Sequence, residues 1–187
     1  MLKEKILGQR ITLQRPLLNE QTAQIVFSSM DRCRKDFSPW LDWVDSTISA
    51  EDTFRFLEAA NQDWNDQKQF VYAIFFQNKF IGLISVTNIS IQHKRAEIGY
   101  WLDTDFSGRG FMREAVSLIE KELFENDFNR IIIQTDVLNV RSANVAQKCG
   151  YIHEGVLRQE RYSEKQGRFR DTNMFSKLKS DLTEGGI

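Results

Sequence analysis

The hydrophobic and polar positions of the chain follow two periods, one typical of strands and one typical of helices. Phe70–Phe76 and Phe80–Ile89 are rich in aromatic and β-branched residues and are separated by the polar turn Gln77–Lys79, which predicts a β-hairpin. Ala96–Leu102 predicts a third strand directly after the hairpin. From Met112 onward the apolar residues fall at positions 112, 115, 116, 119 and 123, the spacing of an amphipathic helix.

The rest of the chain alternates between the same two patterns. Further strands are predicted at Ile11–Arg15, Arg130–Val137, Tyr151–Gln159 and Phe169–Leu178. Further helices are predicted from Asn19 to about Met30, from Ser49 through Trp64, and over Arg141–Cys149 with Gly150 just after its end. This order of elements predicts an α/β (α+β) fold built on one mixed sheet, with residues 1–187 forming a single domain.

Composition narrows the class of protein. The chain has 187 residues, a net charge of −1 and no basic stripe, so we expect no nucleic-acid partner. It has no apolar run long enough to cross a bilayer and no signal-peptide core, so we expect a cytoplasmic protein without a membrane partner. Its two cysteines and two histidines lack metal-ligand spacing, which predicts no metal site. Cys33 and Cys149 are interpreted as small buried apolar residues, and a Cys–His nucleophile pair stays open.

The stretch Asp105–Ala115, DFSGRGFMREA, is called here the glycine loop. It joins a predicted strand to a predicted helix, and the first amides of a helix have no internal partner and bind anions. Arg109 and Arg113 add positive charge, although the glycines also suit an ordinary tight turn. The loop has neither the lysine of a P-loop nor the third glycine of a dinucleotide fingerprint, so the expected ligand is another phosphate carrier.

Three segments together carry a family resemblance: AEIGYWLD, SGRGFMREA and DVLNVRSANVAQKCGYIHEGVLR. They resemble the GNAT superfamily of N-acetyltransferases, and more narrowly the RimJ/RimL-like group of ribosomal-protein N-terminal acetyltransferases. The likeness extends from about Phe70 to Leu178. It implies a GNAT-type fold, with helices on both faces of the sheet and a splay between Ala96–Leu102 and Arg130–Val137. It also implies acetyl-CoA as the cosubstrate.

The resemblance further implies a coenzyme site. Its expected members are Tyr100, Trp101, Leu102, Gly108, Arg109, Gly110, Phe111, Met112, Arg113, Asn139 and Ser142. The amides of residues 108–112 would hold the pyrophosphate, residues 100–102 would pair with the pantetheine arm, and a backbone N–H near Trp101 or Leu102 would bind the oxyanion. Asn139 would bond the thioester end or simply cap a helix. Ser107 stands where the family usually has Gln or Arg, and backbone amides survive that change.

Acetyl transfer needs a neutral amine, a donor for the oxyanion and, for the departing thiolate, a proton. Glu97 is the candidate base through a water, or else a structural carboxylate paired with an arginine. Ser142 is the candidate acid, or a serine of the helix's first turn. Tyr162 is a candidate groove wall or proton donor, or an ordinary strand aromatic. Some members of the group carry a catalytic glutamate near Glu160, but the spacing here falls on Arg161.

The expected function is acetyl transfer to a primary amine by direct attack in a ternary complex. The resemblance favours the N-terminal α-amine of a protein, whose pKa of about 7.7–8.0 lies well below the value of about 10.4 for lysine. A small-molecule amine (a polyamine, amino acid or aminoglycoside) and a non-catalytic acyl-CoA-binding module are the alternatives. Phe37, Trp40 and Trp43 belong either to the core or to the acceptor pocket. The resemblance also allows a homodimer.

Overall fold

A single twisted sheet of eight strands organises the protein, for which a computed structural model describes residues 1–182. In chain order the strands are β1 (Lys5–Leu7), β2 (Ile11–Gln14), β3 (Phe70–Phe76), β4 (Lys79–Ser90), β5 (Arg95–Leu102), β6 (Arg130–Asp136), β7 (Ile152–Ser163) and β8 (Arg168–Leu178). Their order across the sheet is β1-β2-β3-β4-β5-β6-β8-β7. Every neighbouring pair is antiparallel except β5 and β6, so the sheet is mixed, as predicted.

Six α-helices accompany the sheet: α1 (Glu20–Arg32), α2 (Arg34–Phe37), α3 (Trp43–Ser46), α4 (Ala50–Asn65), α5 (Phe111–Glu125) and α6 (Val140–Lys148). Two predicted helix starts are confirmed by their caps. Asn19 Oδ1 accepts a hydrogen bond from the Thr22 amide at 2.8 Å, and Ser49 forms a reciprocal capping box with Asp52. Two 3₁₀ turns, Thr104–Phe106 and Lys179–Leu182, complete the described elements.

The helices cover both faces of the sheet. On one face α5 and α6 pack on the inward side chains of β3 to β6, with Ile98, Val116 and Ile131 at most 1% exposed. On the other face α1, α3 and α4 pack on Val71, Leu83 and other residues of β3 to β5. Burying two faces of one sheet requires a helical layer on each side, so the predicted arrangement of helices is confirmed.

The strands β5 and β6 separate after a short parallel contact. They pair only over three positions, the last joining Glu97 to Ile132. Beyond it, β5 continues to pair with β4 on one side, and β6 continues to pair with β8 on the other. The predicted splay is therefore present, and the backbone edges of Ile98–Leu102 and Ile133–Asp136 face a gap in the sheet.

The structure also departs from the predicted elements. β1, α2 and α3 were not predicted, since each has only three or four residues and too few apolar positions to show a period. β7 runs on to Ser163, past its predicted end at Gln159. The single domain predicted for 1–187 includes residues 183–187, which lie outside the described residues, so that assignment stays a prediction. Within residues 1–182, no helix is both long and apolar enough to cross a membrane.

Candidate active site

The glycine loop presents a row of unpaired backbone amides at the start of α5. Gly108 and Gly110 have φ angles of 74° and 79°, in the left-handed region that glycine tolerates best. Among residues 1–182, no group accepts a hydrogen bond from the amides of residues 108–113. A Cβ added at Gly108 would meet no atom within 4 Å, so the space beside the loop is open. Open space, free amides and a helix N-terminus together form a cradle for an anion.

Arg109 braces this loop with its side chain. Its guanidinium carbon lies 5.3, 5.7 and 4.9 Å from the ring centroids of Phe76, Phe106 and Phe111. Its carbonyl oxygen accepts a hydrogen bond from Arg10 Nη1 at 2.9 Å. These cation–π contacts hold the loop against an aromatic cluster, so Arg109 offers a ligand chiefly its amide. The side chain of Arg113 is exposed on the first turn of α5, beside the open space.

Two carboxylates fix the ends of the loop. Asp103 follows β5, is fully buried, and accepts hydrogen bonds from Ser29 Oγ at 2.9 Å, from the Asp105 amide at 3.1 Å and from Arg32. Glu114 accepts from the amide and the Nε of Arg10, both at 2.8 Å. The first carboxylate ties the loop to α1, and the second ties α5 to the turn between β1 and β2. Sequence reasoning missed Asp103, because an aspartate after a strand also fits an ordinary turn.

A tyrosine spans the splay on the α5 side of the sheet. The Tyr100 hydroxyl lies 3.1 Å from the carbonyl oxygen and 3.2 Å from the Oγ of Ser142, which joins β5 to the first turn of α6. Burial raises the pKa of Tyr100 well above its ordinary value, so the hydroxyl stays protonated. Asn139 caps α6, its Oδ1 accepting from the Ser142 amide at 3.2 Å. The structure therefore brings three predicted site residues together at the gap.

Glu97 lies on the opposite face of the sheet, at the point where the splay begins. Its Oε2 accepts hydrogen bonds from Asn88 Nδ2 at 2.8 Å and from Gln134 Nε2 at 3.3 Å. The alternative of an arginine partner does not apply among the described residues, since both hydrogen-bond partners are neutral amides. A carboxylate held by two amides keeps free lone pairs for a further donor, such as a water or an amine.

A cleft lies on the Glu97 side of the sheet and is named here the Trp40 cleft. It encloses about 320 Å³, part of it open to solvent, and its wall comes from the segment before α3 and from β6, β7 and β8. The lining residues are Trp40, Asp42, Gln134, Thr135, Asp136, Arg161, Arg170 and Thr172. The tip of the β7–β8 hairpin is held against the segment that carries Trp40 and Asp42, because Lys165 Nζ bonds Asp45 Oδ2 at 2.8 Å and also bonds Ser38.

Other predicted residues lie apart from this cleft. Phe37 and Trp101 are buried against each other, with ring centroids 5.4 Å apart, and Trp43 is 43% exposed. Tyr162 is 52% exposed and packs edge-on against Phe169, 5.1 Å between ring centroids, on the face of β7 away from Arg161. Leu102 ends β5, opposite Gly82 of β4. The sequence analysis considered Arg161 only because it stands where the spacing would place a catalytic glutamate, and it predicted no role for the arginine itself.

The cysteines fit the interpretation as small buried residues. Cys33 packs beneath Asp103, and burial raises the pKa of the Cys149 thiol to about 11, which keeps it neutral. His153 forms no hydrogen bond with either cysteine in the described part of the chain: its Nε2 lies 3.0 Å from Asn173 Oδ1. Among residues 1–182, no cluster of three or more His, Cys, Asp and Glu side chains is placed to hold a metal ion.

Comparisons with known proteins agree with this geometry. Residues 10–152 match the family model described as Acetyltransferase (GNAT) domain. The chain is 30% identical over 176 residues to the putative ribosomal N-acetyltransferase YdaF of Bacillus subtilis, covering 91% of each chain. It is 30% identical over 139 residues to the ribosomal-protein-serine acetyltransferase of Escherichia coli, covering 74% of this chain and 76% of that protein.

Solved structures give the same result. The self-immunity acetyltransferase MccE for microcin C7, in complex with acetyl-CoA and AMP, superposes with a TM-score of 0.86 at 27% identity, covering 91% of this chain and 93% of MccE. RimL, the ribosomal L7/L12 alpha-N-protein acetyltransferase, in complex with coenzyme A, also has a TM-score of 0.86, at 26% identity and covering 94% of this chain and 98% of RimL. The chain belongs to the GNAT family and is an acetyl-CoA-dependent N-acetyltransferase.

Proposed function

We propose that the protein acetylates the N-terminal α-amine of a protein, by direct attack of that amine on the thioester within a ternary complex. Two lines of support converge on this acceptor. One is the naming of relatives such as the ribosomal-protein-serine acetyltransferase, which is 30% identical to this chain. The other is the shape of the site, whose open cleft suits the end of an extended chain. A ribosomal-type acceptor also favours action in the cytoplasm.

The observation that carries the proposal is the position of Gln134. Its side chain lines the Trp40 cleft and also donates to Glu97 at the start of the splay. Gln134 therefore connects the wall of the cleft with the gap on the Glu97 face of the sheet. An acceptor entering the cleft would deliver its terminal amine beside Glu97, within reach of a thioester held between β5 and β6.

The donor side of the proposal rests on free backbone groups. The amides of Gly108, Arg109, Gly110, Phe111 and Met112 would hold the pyrophosphate, with Arg113 adding charge. The edge of β5 at residues 98–102 lacks a strand partner on its β6 side, so the pantetheine arm would pair there like a strand. A backbone N–H near Trp101 or Leu102 would then donate to the oxyanion.

The acid and the base of the proposal flank the gap on opposite faces. Glu97 would take the proton of the incoming amine through a water, a modest task because an α-amine is already partly neutral near pH 7.7–8.0. Ser142 would return a proton to the thiolate, with Tyr100 holding its hydroxyl in place. Asn139 would orient the thioester end while capping α6. The catalytic role predicted for Tyr162 stays a prediction.

The test is thiol release from acetyl-CoA with a panel of acceptors. N-terminal peptides of ribosomal proteins are compared with the same peptides blocked at the α-amine, and with polyamines, amino acids and aminoglycosides. We expect kcat/KM to be highest for free peptide N-termini and to vanish on blocking. Faster turnover of a small amine would replace the proposed acceptor, and coenzyme binding without turnover of any acceptor would contradict catalysis.

A further inference from the structure

Two arginines face each other across the wall of the Trp40 cleft. Arg161 of β7 pairs directly with Arg170 of β8, and both line the cleft. Like charges placed opposite each other on neighbouring strands repel, so such a pair costs stability unless something compensates it.

Only one of the two arginines is compensated. Arg170 Nε donates to Asp136 Oδ2 at 2.6 Å, with both side chains at most 10% exposed, and its guanidinium lies 5.8 Å from the ring of Trp40. A more distant contact of 4.0 Å joins Arg170 to Asp42. The side chain of Arg161, by contrast, has neither an ion pair nor a hydrogen bond among residues 1–182, and it is exposed in the cleft. One positive charge on the cleft wall therefore lacks a counter-ion within the described chain.

A bulge puts Arg161 in this place. Leu157 pairs with Thr172 and Arg161 with Arg170, so residues 158–160 of β7 stand opposite the single residue Asp171. Without the two additional residues, Gln159 would face Arg170. Gln159 instead adopts a φ of 53°, and its amide donates to Asp171 Oδ1 at 2.8 Å. Bulges beside active sites re-aim side chains, and this one aims an unpaired guanidinium at the cleft.

We propose that Arg161 binds a carboxylate of the acceptor, supplied by an acidic side chain near the acetylated N-terminus. This rests on the proposed function, since it names a feature of the same peptide acceptor. An arginine fork bonds a carboxylate through two parallel hydrogen bonds, which gives both affinity and geometric selection. The amine end of the acceptor then lies by Glu97 and Gln134, and its acidic side chain lies at Arg161.

The register of β8 sets the spacing between these two points. Gln134 pairs with Met174 of β8, and Arg161 pairs with Arg170, four residues farther along the same strand. Four residues of strand span about 13 Å, and β6 and β7 lie on opposite sides of β8, two strand spacings of about 4.8 Å apart, so the two backbones are about 16 Å apart. The side chains of the arginine and of the acceptor's acidic residue cover part of that distance. An extended peptide covers about 3.3–3.6 Å per residue, so the acidic side chain belongs between the third and fifth residues of the acceptor.

The experiment uses a series of peptides that differ only in the position of one aspartate. A serine-initiated peptide with a free α-amine carries aspartate at one position from the second to the sixth, and the matched peptides carry asparagine instead. For the wild-type enzyme, we expect kcat/KM to favour aspartate by on the order of tenfold at the third to fifth positions, and little elsewhere. In Arg161→Gln that preference should disappear, with the affinity for acetyl-CoA unchanged.

Two further variants separate charge from fold. Arg158→Gln removes an exposed arginine of the same bulge outside the cleft and should keep the aspartate preference. Arg161→Glu should reverse it, favouring a peptide with lysine at the same position. Equal rates for aspartate and asparagine peptides in the wild type, or a preference that survives Arg161→Gln, would overturn the inference. If no free N-terminus is acetylated at all, the proposed function itself fails. That result differs from the two outcomes that overturn only the inference about Arg161.

Discussion

The glycine loop and the Trp40 cleft present different parts of the chain to the space beside them. The loop offers backbone amides, available because Gly108 and Gly110 hold left-handed φ angles and α5 starts at Phe111. The cleft offers charged side chains, such as Arg161 and Arg170, on strands that belong to a hairpin. We infer that the donor side is sensitive to changes in backbone shape and the acceptor side to changes in charge.

The largest effect is expected at Gly110. A glutamate there would have to adopt a φ of 79° and would place a carboxylate in the anion cradle. We expect Gly110→Glu to weaken acetyl-CoA binding by roughly a thousandfold, or ~4 kcal/mol, by calorimetry. The matched control is Gly167→Glu, which has a φ of 60° in the distant hairpin turn and open space around it. Unchanged affinity in Gly110→Glu would refute the assignment of the loop.

Asp103 tests how the loop is held. Replacing this buried carboxylate with alanine would leave the Ser29 hydroxyl and the Arg32 guanidinium without their shared acceptor. We expect Asp103→Ala to lower the free energy of unfolding by about 3 kcal/mol and to weaken acetyl-CoA binding as well. The control is Asp105→Ala, whose side chain is 66% exposed and whose loss should cost below ~1 kcal/mol. Equal losses in the two variants would contradict this account of the loop.

Glu97 tests the chemistry on the cleft side. We expect Glu97→Gln to lower kcat with a peptide acceptor by about a hundredfold, because the glutamine cannot accept a proton. Its affinity for acetyl-CoA should stay the same, since the pyrophosphate cradle lies at the other end of β5. Glu160→Gln serves as control, because Glu160 does not line the cleft. A large loss in Glu160→Gln with full activity in Glu97→Gln would move the base to β7.

A comparison of Tyr100 with Tyr162 tests which of the two hydroxyls contributes to the rate of acetyl transfer. Tyr100→Phe removes the hydroxyl that holds Ser142 across the splay, and we expect kcat to fall about tenfold. Because burial raises the pKa of Tyr100 above its ordinary value, the shape of the pH profile between pH 6 and 9 should not change. If Tyr162 is only an ordinary strand aromatic, Tyr162→Phe should leave kcat near the wild-type value. A larger loss in Tyr162→Phe than in Tyr100→Phe would support the catalytic role predicted for Tyr162.

The smallest effect concerns the ion pairs that hold β7. Hydrogen bonds from Arg130 and Ser176 lower the pKa of Glu154 to about 2. A lowered pKa means that this stabilisation is present above the ordinary value of 4.5 and is lost as the pH falls towards 2. After screening at this partly exposed site, we expect about 1 kcal/mol. Glu154→Gln should flatten the unfolding free energy between pH 5 and 2, unlike Glu164→Gln. An unchanged slope would contradict the expectation.

The same contrast explains what the sequence could predict. The glycine loop, the helix after it and the caps at Asn19 and Ser49 depend on neighbours in the chain, so local patterns indicated them correctly. The splay followed from a family resemblance and is confirmed by the three-position contact of β5 with β6.

The cleft depends on contacts between distant segments, which leave little trace in local patterns. The short helices α2 and α3 are held by such contacts, including Lys165 with Asp45 across 120 residues. The bulge at residues 158–160 shifts the pairing of Arg161 by two positions relative to a regular strand. Such a shift keeps the face of each side chain, so the alternation of the sequence carries no sign of it. Asp103 was missed for a related reason, since its value comes from Ser29 and Arg32 on α1.

The most direct test of the central claim is the location of the acetyl group on a peptide that carries both a free α-amine and a lysine. After reaction with acetyl-CoA, fragmentation by tandem mass spectrometry assigns the modified nitrogen. The account predicts acetylation of the α-nitrogen, with the lysine unmodified. Acetylation of the lysine side chain, or of neither amine while acetyl-CoA is bound, would contradict it.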